Sequence, residues 1–208
     1  MDSYNKKTLR SYEENLDEYI TGTPQDVSPE LKKWINDALG SLPEKASILE
    51  IGSGFGRDAK YLEELGHSVL RTDASLSFVH YLQNEGYDAM VLNVLKDVIP
   101  REFDMVFANA VFLHFKPKDL SCALSKACNS LDKNGVLAFT VKHGEGSEWS
   151  RDKLNAPRFF QYWRISELAL LVRRAGFKDV LAYFDPPKRW IYVIAKNKAT
   201  KGGPDDNR

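Results

Sequence analysis

Short apolar runs alternate with amphipathic helical patterns from residue 46 onward. In chain order, the runs are ASILEI, HSVLRT, DAMVLN, FDMVFAN, GVLAFTV, DVLAYF and WIYVIA. Such alternation favours parallel strands that are joined by right-handed crossovers, with helices covering both faces of the sheet. The fold class is therefore predicted as α/β, with a doubly wound, Rossmann-like sheet of seven mostly parallel strands.

The last two runs lie too close together for a crossover. Only the link DPPKR joins the run that ends at Phe184 to the run that begins at Trp190. A link of this length allows a hairpin but leaves no room for a helix. The seventh strand is therefore expected to run antiparallel to the others.

The sequence also predicts helices, both before the first apolar run and between the runs. Ser28 is followed by Pro29, and apolar residues recur at helical spacing until Gly40, which predicts a capped helix. Residues 4–20 predict a more polar helix that carries three tyrosines. Ser75 is the predicted cap of a helix that follows the second strand.

The length of 208 residues fits one ordinary domain. Residues 1–197 are expected to form it, with residues 1–45 as an N-terminal helical cap and residues 143–163 as a lid loop. The polar, Gly- and Pro-containing residues 198–208 are expected to form a disordered tail.

The charge balance and the apolar content limit the partners. Lys plus Arg and Asp plus Glu each number 29, so the basic excess of a dedicated nucleic-acid binder is absent and nucleic acid is an unlikely partner. No apolar run approaches the ~20 residues that span a bilayer. The start MDSYNKKTLR also lacks the apolar core of a signal peptide. We expect a cytoplasmic protein with no membrane association.

Neither metal binding nor disulfide formation is predicted. The two cysteines, Cys122 and Cys128, are six residues apart in a predicted helix, and this spacing does not place them on one helical face. They are therefore expected to be reduced.

Three alternating glycines follow the first strand in the stretch ILEIGSGFGRDAKYL. Gly52 comes directly after the strand, so the chain can turn sharply and its backbone can approach a ligand with no Cβ in between. A helix that begins near Arg57 then points its unpaired amide groups into the same space. Open parallel sheets bind ligands just beyond the carboxyl ends of their strands, where this loop lies. The loop is therefore predicted to be in close contact with a ligand.

Two kinds of cofactor compete for this loop. A dinucleotide fingerprint that starts at Gly52 requires glycine or alanine where the sequence has Arg57. A start at Gly54 gives a formal match but inserts two residues between the strand and the first glycine. The alternating glycines instead form a tight loop that is opened by the acidic Glu50.

An acidic residue ends the second strand, which favours a ribose-containing ligand. Asp73 lies twenty-one residues after Gly52, where a carboxylate can accept hydrogen bonds from two ribose hydroxyls. The alternative interpretation is that Asp73 caps the helix that follows it.

The stretch LEIGSGFGRD resembles the cofactor loop of class I S-adenosylmethionine-dependent methyltransferases. FDMVFANAVFLHF and LDKNGVLAFTV resemble the fourth- and fifth-strand signatures of that family, and the resemblance covers roughly residues 10 to 197. It implies S-adenosyl-L-methionine as the cofactor and a methyltransferase activity. The implied cofactor-binding residues are Glu50, Gly52, Ser53, Gly54, Gly56, Asp73, Ala74, Ser75, Asn93, Val94, Asn109 and Ala110.

The resemblance also concerns one departure from the family pattern, at Asn93, and the N-terminal segment. Asn93 stands where the family usually has an aspartate that reaches the adenine amino group, a bond that an amide oxygen also accepts. Leading segments of the family fold over the cofactor, which implies cofactor contacts for Tyr12 or Tyr19. The alternative is that these tyrosines are core or interface residues.

The segment HGEGSEWSRDKLNAPRFFQYWRIS, after the fifth strand, is expected to hold the substrate. Long loops in compact domains are often lids or binding elements. Aromatic residues are expected to wall an apolar pocket while arginines grip a carboxylate or phosphate. The candidates are Trp149, Arg158, Tyr162, Trp163 and Arg164. The alternative is that the aromatic residues only cover the sheet.

Methyl transfer from a sulfonium is an in-line displacement that needs a base only when the acceptor must lose a proton. His114 follows the fourth strand and His143 ends the fifth, so these are the catalytic candidates. The run FANAVF lacks the Asn-Pro-Pro-aromatic pattern of the family's nucleic-acid amino methyltransferases. A small-molecule acceptor is the leading hypothesis, with an NAD(P)-dependent oxidoreductase and a noncatalytic cofactor-binding scaffold as alternatives.

Overall fold

The apolar runs of the sequence form the strands of one sheet. The computed structural model describes residues 3–99 and 102–197, and the predicted tail at 198–208 lies outside this range. The strands are β1 (Ser47–Ile51), β2 (Ser68–Asp73), β3 (Ala89–Val91), β4 (Phe103–Ala108), β5 (Leu131–His143), β6 (Ser147–Ser150), β7 (Arg158–Trp163), β8 (Val180–Phe184) and β9 (Trp190–Lys196).

The sheet is doubly wound and mostly parallel, as predicted. Strands β3, β2, β1, β4 and β5 lie side by side in parallel, in that order. Strand β9 pairs antiparallel with both β5 and β8, which confirms the terminal hairpin. The carboxyl ends of the parallel strands therefore meet at one edge of the sheet.

The described residues contain nine strands rather than the predicted seven. The two additional strands, β6 and β7, form an antiparallel hairpin within the segment that was expected to be a loop. Strand β7 also pairs in parallel with Lys142 and His143, at the end of β5. The polar and turn-forming residues between the two short strands hide this hairpin in the sequence.

Helices cover both faces of the sheet. They are α1 (Ser3–Glu13), α2 (Leu16–Thr21), α3 (Pro29–Leu39), α4 (Arg57–Glu64), α5 (Leu76–Asn84), α6 (Pro117–Asn129) and α7 (Ile165–Arg174). The single helix predicted over residues 4–20 is divided between α1 and α2. The Asn15 side chain donates to the carbonyl oxygen of Ser11 at 2.8 Å, a local bond that competes with helix continuation.

Of the two helix caps predicted from the sequence, one forms as predicted and the other does not. The Ser28 hydroxyl accepts a bond from Leu31 N at 3.3 Å, so the predicted cap of α3 is confirmed. Ser75 occupies the cap position of α5, but its side chain makes no capping bond. Its hydroxyl instead donates to Glu13, whose carboxylate also accepts Ser77 N at 3.1 Å. A residue of α1 therefore caps α5 and ties the N-terminal helices to the sheet.

The core has one apolar layer on each face of the sheet. On one face, Trp34 of α3 is fully buried against Phe107 and donates its indole N–H to Val193 O at 3.3 Å. On the other face, Phe139 packs with residues of α6 and α7, including Leu124 and Leu168. Burial of each such side chain contributes roughly 1.5–3 kcal/mol. Within the described residues, no helix is both long enough and apolar enough to cross a bilayer.

Candidate functional site

A cavity lies at the carboxyl edge of the parallel strands, beneath α1 and α2. Eleven of the site residues predicted from the sequence line it. They are Tyr12, Tyr19, Gly52, Gly54, Asp73, Ala74, Asn93, Val94, Asn109, Ala110 and His114. The structure therefore brings together residues from the ends of four strands and from the N-terminal helices. This space is called the first cavity.

The glycine loop forms one wall of the first cavity through its backbone. The amides of Gly52 and Ser53 both donate to Thr72 O at 2.8 Å, which fastens the turn to β2. Gly52 has a φ of 73°, and a Cβ added there would lie 2.4 Å from a methyl group of Val111. Gly54 has a φ of 55°, and its amide donates to Asp73 Oδ2 at 3.0 Å. The positive φ angles at Gly52 and Gly54, and the lack of space for a Cβ at Gly52, therefore require glycine in this turn.

Asp73 faces the first cavity from the end of β2. One carboxylate oxygen accepts Gly54 N, and the other accepts Ser75 N at 2.8 Å. Burial raises the pKa of Asp73 to about 6, although these backbone bonds oppose the rise. The helix-capping contact that the sequence left as an alternative is therefore present, and the same carboxylate also lines the cavity.

Four predicted cofactor residues do not line the first cavity. Glu50 is buried beneath the loop, where burial raises its pKa to about 8. The Ser53 hydroxyl accepts Thr72 N at 3.1 Å, and a Cβ at Gly56 would meet Leu82 at 2.7 Å. Ser75 bonds to Glu13, as described above. The side chains of Glu50, Ser53 and Ser75 are buried in the protein, and Gly56 lies close to Leu82, so these residues support the loop from behind.

A second cavity opens beside the first. The two cavities share part of their walls, formed by Tyr12, Tyr19, Asn109, Ala110 and His114. The second cavity is lined elsewhere by aromatic and charged side chains. These are Phe160, Trp190, Tyr192, Arg57, Lys142, Asp152, Lys153 and Arg158. A molecule in one cavity can therefore meet a molecule in the other at this shared wall.

A chain of hydrogen bonds crosses the shared wall. His114 Nδ1 lies 2.6 Å from Phe159 O, and because a carbonyl only accepts, Nδ1 carries the proton. Neutral His114 therefore accepts through Nε2, to which the Tyr12 hydroxyl donates at 2.8 Å. Arg158 Nη1 donates to the same Tyr12 oxygen at 3.3 Å. The donors thus run from Arg158 through Tyr12 to His114.

The environment keeps this network in one protonation state. Burial lowers the pKa of His114 to about 3, and the nearby charges of Arg158 and Lys142 act in the same direction. Burial also raises the pKa of Tyr12. Near neutral pH, His114 is therefore an uncharged imidazole and Tyr12 a protonated phenol.

Asn109 is fixed at the other side of the shared wall. Its side-chain amide donates to Asp58 Oδ2 at 2.7 Å, and its oxygen accepts the Thr140 hydroxyl at 2.7 Å. Thr140 Oγ1 in turn accepts Ala110 N at 2.8 Å, which holds Ala110 at a φ of 57°. Asp58 and Thr140 were not among the predicted site residues, because their partners come from other strands.

Only one of the five predicted substrate residues lines the second cavity. Arg158 does so, while Tyr162, Trp163 and Arg164 border a separate hollow on the surface. Trp149 is exposed and packs against Phe159 on the outer side of the hairpin. The sequence placed these residues in a long loop, but the β6–β7 hairpin carries Trp149, Tyr162 and Trp163 away from the shared wall, and Arg164 follows directly after β7.

His143 also lies away from both cavities. Its Nδ1 pairs with Lys188 O at 3.0 Å, and its ring packs edge-on against Phe184. Successive side chains on a strand point to opposite faces, so His143 faces away while Thr140 and Lys142 face the second cavity. The same alternation, applied to the sequence, could have identified Lys142.

Comparison with known proteins gives one family match. A family model described as a methyltransferase domain matches residues 25–182, which is more than half of the chain. A search of curated proteins found no significant match.

Solved structures with the same fold include several methyltransferases. The CcbJ methyltransferase from Streptomyces caelestis has a TM-score of 0.74 and 17% identity, over 94% of this chain and 100% of that chain. A 1,6-didemethyltoxoflavin-N1-methyltransferase from Burkholderia thailandensis has a TM-score of 0.68 and 20% identity, over 95% and 91%. A TehB-like methyltransferase from Corynebacterium glutamicum has a TM-score of 0.66 and 20% identity, over 91% and 98%. At these identities, the likeness shows the fold.

Proposed function

From the premise that this chain belongs to the class I S-adenosylmethionine-dependent methyltransferase family, we propose that it methylates a small molecule held in the second cavity. The observation that carries the proposal is the wall shared by the two cavities. It gives a donor in the first cavity and an acceptor in the second a common meeting point at Tyr12, Asn109 and His114. The Burkholderia structure, which contains 1,6-didemethyltoxoflavin together with S-adenosylhomocysteine, supports a small-molecule acceptor.

The residues of the first cavity fit S-adenosyl-L-methionine. The glycine backbone leaves open space where side chains would obstruct a ligand, and Asp73 offers carboxylate oxygens beside it. Asn93 and Val94 line the part of the cavity at the end of β3. Tyr19 covers Gly54, with its ring 3.5 Å from the position of an added Cβ. We assign these residues to cofactor binding, where the bound cofactor supplies an activated methyl group.

The protein contributes mainly positioning at the shared wall. Alignment of the acceptor at about 3 Å from the transferred carbon can supply several kcal/mol of the barrier. Asn109 and Tyr12 are held by hydrogen bonds on both sides of this point, so little reorganisation is needed. Their role is to orient the acceptor and to exclude water.

His114 is better suited to holding Tyr12 than to general-base catalysis. Its Nε2 already accepts the Tyr12 hydroxyl, and its pKa of about 3 makes it a weak base near neutral pH. This arrangement favours an acceptor atom that is nucleophilic without losing a proton during the reaction. We therefore assign His114 a positioning role, and we do not assign a catalytic role to His143.

Calorimetry with S-adenosylhomocysteine and with NADH tests the proposed function. We expect S-adenosylhomocysteine to bind with micromolar affinity and NADH to show no saturable binding. Tight binding of NADH alone would establish the oxidoreductase alternative. A noncatalytic scaffold would leave no space beside Asn109, whereas the second cavity lies there and supports the enzyme. The cytoplasmic location and the lack of nucleic-acid binding stay predictions.

A further inference from the structure

Three cations of the second cavity have no ionic partner in the part of the chain that the structure describes. Arg57, a fourth cation in the wall, is paired with Asp58 at 2.7 Å. No ion pair joins Lys142, Lys153 or Arg158 to a carboxylate within residues 3–99 and 102–197. Their contacts are instead with aromatic rings. The Lys142 ammonium lies 4.2 Å from the centre of Phe160, and the Lys153 ammonium lies 4.0 Å from that of Tyr19.

Arg158 is the most deeply buried of the three. Only 5% of its surface is exposed, and its guanidinium lies over Phe160. Nη1 donates to Tyr12, but Nε has no hydrogen-bond partner among the described residues. A buried charge with an unused donor is strongly unfavourable unless a counter-charge reaches it. The free protein therefore keeps an unsatisfied guanidinium in the wall of a cavity.

The charge of Arg158 also acts against the charge of each lysine. Burial, together with the charges of Arg158 and Arg57, lowers the pKa of Lys153 to about 8. Burial lowers the pKa of Lys142 and Arg158 acts in the same direction, while the charges of Glu148 and Asp152 oppose the shift. Asp152, which is exposed, is the one carboxylate that lines the second cavity within the described chain. With Arg57 neutralised by Asp58, three cations face one carboxylate, so the wall carries an excess of two positive charges.

We propose that Arg158, Lys142 and Lys153 bind a doubly charged oxyanion group of the methyl acceptor. The acceptor class is then a dianion, such as a phosphate ester or a dicarboxylate, that is attached to a flat apolar body. Phe160, Trp190 and Tyr192 line the same cavity and provide surfaces for such a body. The inference rests on the proposed function, because it identifies the molecule that would occupy the second cavity.

The position of the cations favours the acceptor over the cofactor as their ligand. Arg158, Lys142 and Lys153 line the second cavity and are absent from the wall of the first. Arg158 reaches the shared wall through its hydrogen bond to Tyr12. An anion bound to these groups would lie on the acceptor side, with the rest of the molecule directed toward Asn109.

Calorimetry on the full-length chain, saturated with S-adenosylhomocysteine at constant ionic strength, tests this inference. The probes are phthalate, inorganic phosphate and benzoate, which separate a planar dianion, a bare oxyanion and a planar monoanion. We expect phthalate to bind about tenfold or more tightly than benzoate, because two carboxylates match the charge excess. Equal affinity for phthalate and benzoate, or no binding of phthalate and phosphate at millimolar concentration, would overturn the inference.

Two variants and a control connect the binding to the named residues. Arg158→Ala and Lys153→Met should each weaken phthalate binding about tenfold or more, since each removes a charged donor. Lys153 is only partly buried, so its variant remains informative if Arg158→Ala fails to fold. Arg174→Ala removes the same charge from the exposed end of α7 and should leave the affinity unchanged. Phthalate affinity that is the same in all three variants would contradict the site.

A further comparison separates the acceptor from the cofactor. Without an added anion, the variants are titrated with S-adenosylhomocysteine and with 5′-methylthioadenosine, which lacks the amino-acid carboxylate. Unchanged affinity for both supports the inference. Weaker binding of S-adenosylhomocysteine alone would show that the cations hold the cofactor's carboxylate and would overturn it. Failure of the wild type to bind S-adenosylhomocysteine would instead overturn the proposed function.

Discussion

Two properties of single residues shape the first cavity: the backbone conformation of the glycines and the burial of Glu50. Gly52 and Gly54 have positive φ angles, and their amides are held against β2 by Thr72 and Asp73. Beneath them, Glu50 is enclosed and has an oxygen without a hydrogen-bond partner among the described residues. The loop therefore combines a backbone surface for a ligand with a buried carboxyl group below it.

A side chain at Gly54 should remove cofactor binding. Valine at a φ of 55° is strained by roughly 1–3 kcal/mol and extends toward the space covered by Tyr19. We expect Gly54→Val to lower the affinity for S-adenosylhomocysteine at least about 100-fold in calorimetry while the protein still folds. Gly86→Val is the matched control, because Gly86 has a φ of 87° with nothing within 4 Å of an added Cβ. Unchanged affinity in Gly54→Val would contradict the cofactor site.

Glu50 should make stability depend on pH. Its folded-state pKa of about 8 is above the ordinary 4.5, so its stabilising contribution is complete below pH 4.5 and is lost as pH rises toward 8. The raised pKa of Asp73 also makes the protein less stable as pH rises, but this loss of stability is complete near the pKa of about 6. Relative to wild type, Glu50→Gln should gain a few kcal/mol of unfolding free energy between pH 6 and pH 8.5. Urea denaturation at both pH values measures this, and parallel pH profiles would exclude the buried acid.

At the level of elements, the N-terminal helices form a roof that is attached through side chains. Glu13 accepts bonds from Ser75 and Ser77 at the start of α5, and Ser11 donates to Pro157 O at 2.7 Å. Helix α1 thus bridges α5 and the segment before β7. The roof over the first cavity depends on these contacts because α1 is largely polar.

Removal of the Glu13 carboxylate should loosen this roof. Glu13→Ala leaves the start of α5 without its cap, which costs about 1 kcal/mol, and frees the end of α1. We expect faster hydrogen exchange in residues 3–13 and weaker binding of S-adenosylhomocysteine. Glu14→Ala is the control, because Glu14 is exposed and its carboxylate pairs with the exposed Arg10, an interaction that contributes little to stability. Equal exchange rates in the two variants would show that the roof does not depend on Glu13.

For the whole molecule, the two cavities and the roof form one connected site. Residues of α1 and α2 and the residues that follow β4 line both cavities, and β5 contributes Thr140 and Lys142 to the second. A ligand in the first cavity therefore contacts elements that are far apart in the chain. Ligand binding should therefore increase the free energy of unfolding of the entire domain.

Cofactor binding should accordingly stabilise the protein and protect the roof. At 100 times the dissociation constant, S-adenosylhomocysteine should add about 2.7 kcal/mol to the unfolding free energy. Hydrogen exchange should slow in residues 3–21 and 52–56, while α7 serves as an internal reference. A melting temperature that does not change with ligand concentration would argue against binding to the folded state.

The parts of the fold and of the candidate site that the sequence predicted are those with a clear local sequence pattern. Strand β1, the glycine turn and Asp73 are adjacent to apolar runs, so periodicity and glycine placement predicted their position at one sheet edge. The β6–β7 hairpin was missed because its strands are short and joined by turn-forming residues. The assignments of Tyr162 and His143 depended on which face each side chain occupies, and neither lines the two cavities.

By itself, the sequence determined the doubly wound sheet and the glycine loop, because hydrophobic period and the positive φ of glycine are properties of neighbouring residues. Only the tertiary structure decided the His114 tautomer, the cap on α5 and the cation cluster of the second cavity. Tyr12 and His114 are 102 residues apart in the chain, and Arg158 is 146 residues from Tyr12. Contacts over such separations depend on how the layers pack, which no local pattern contains.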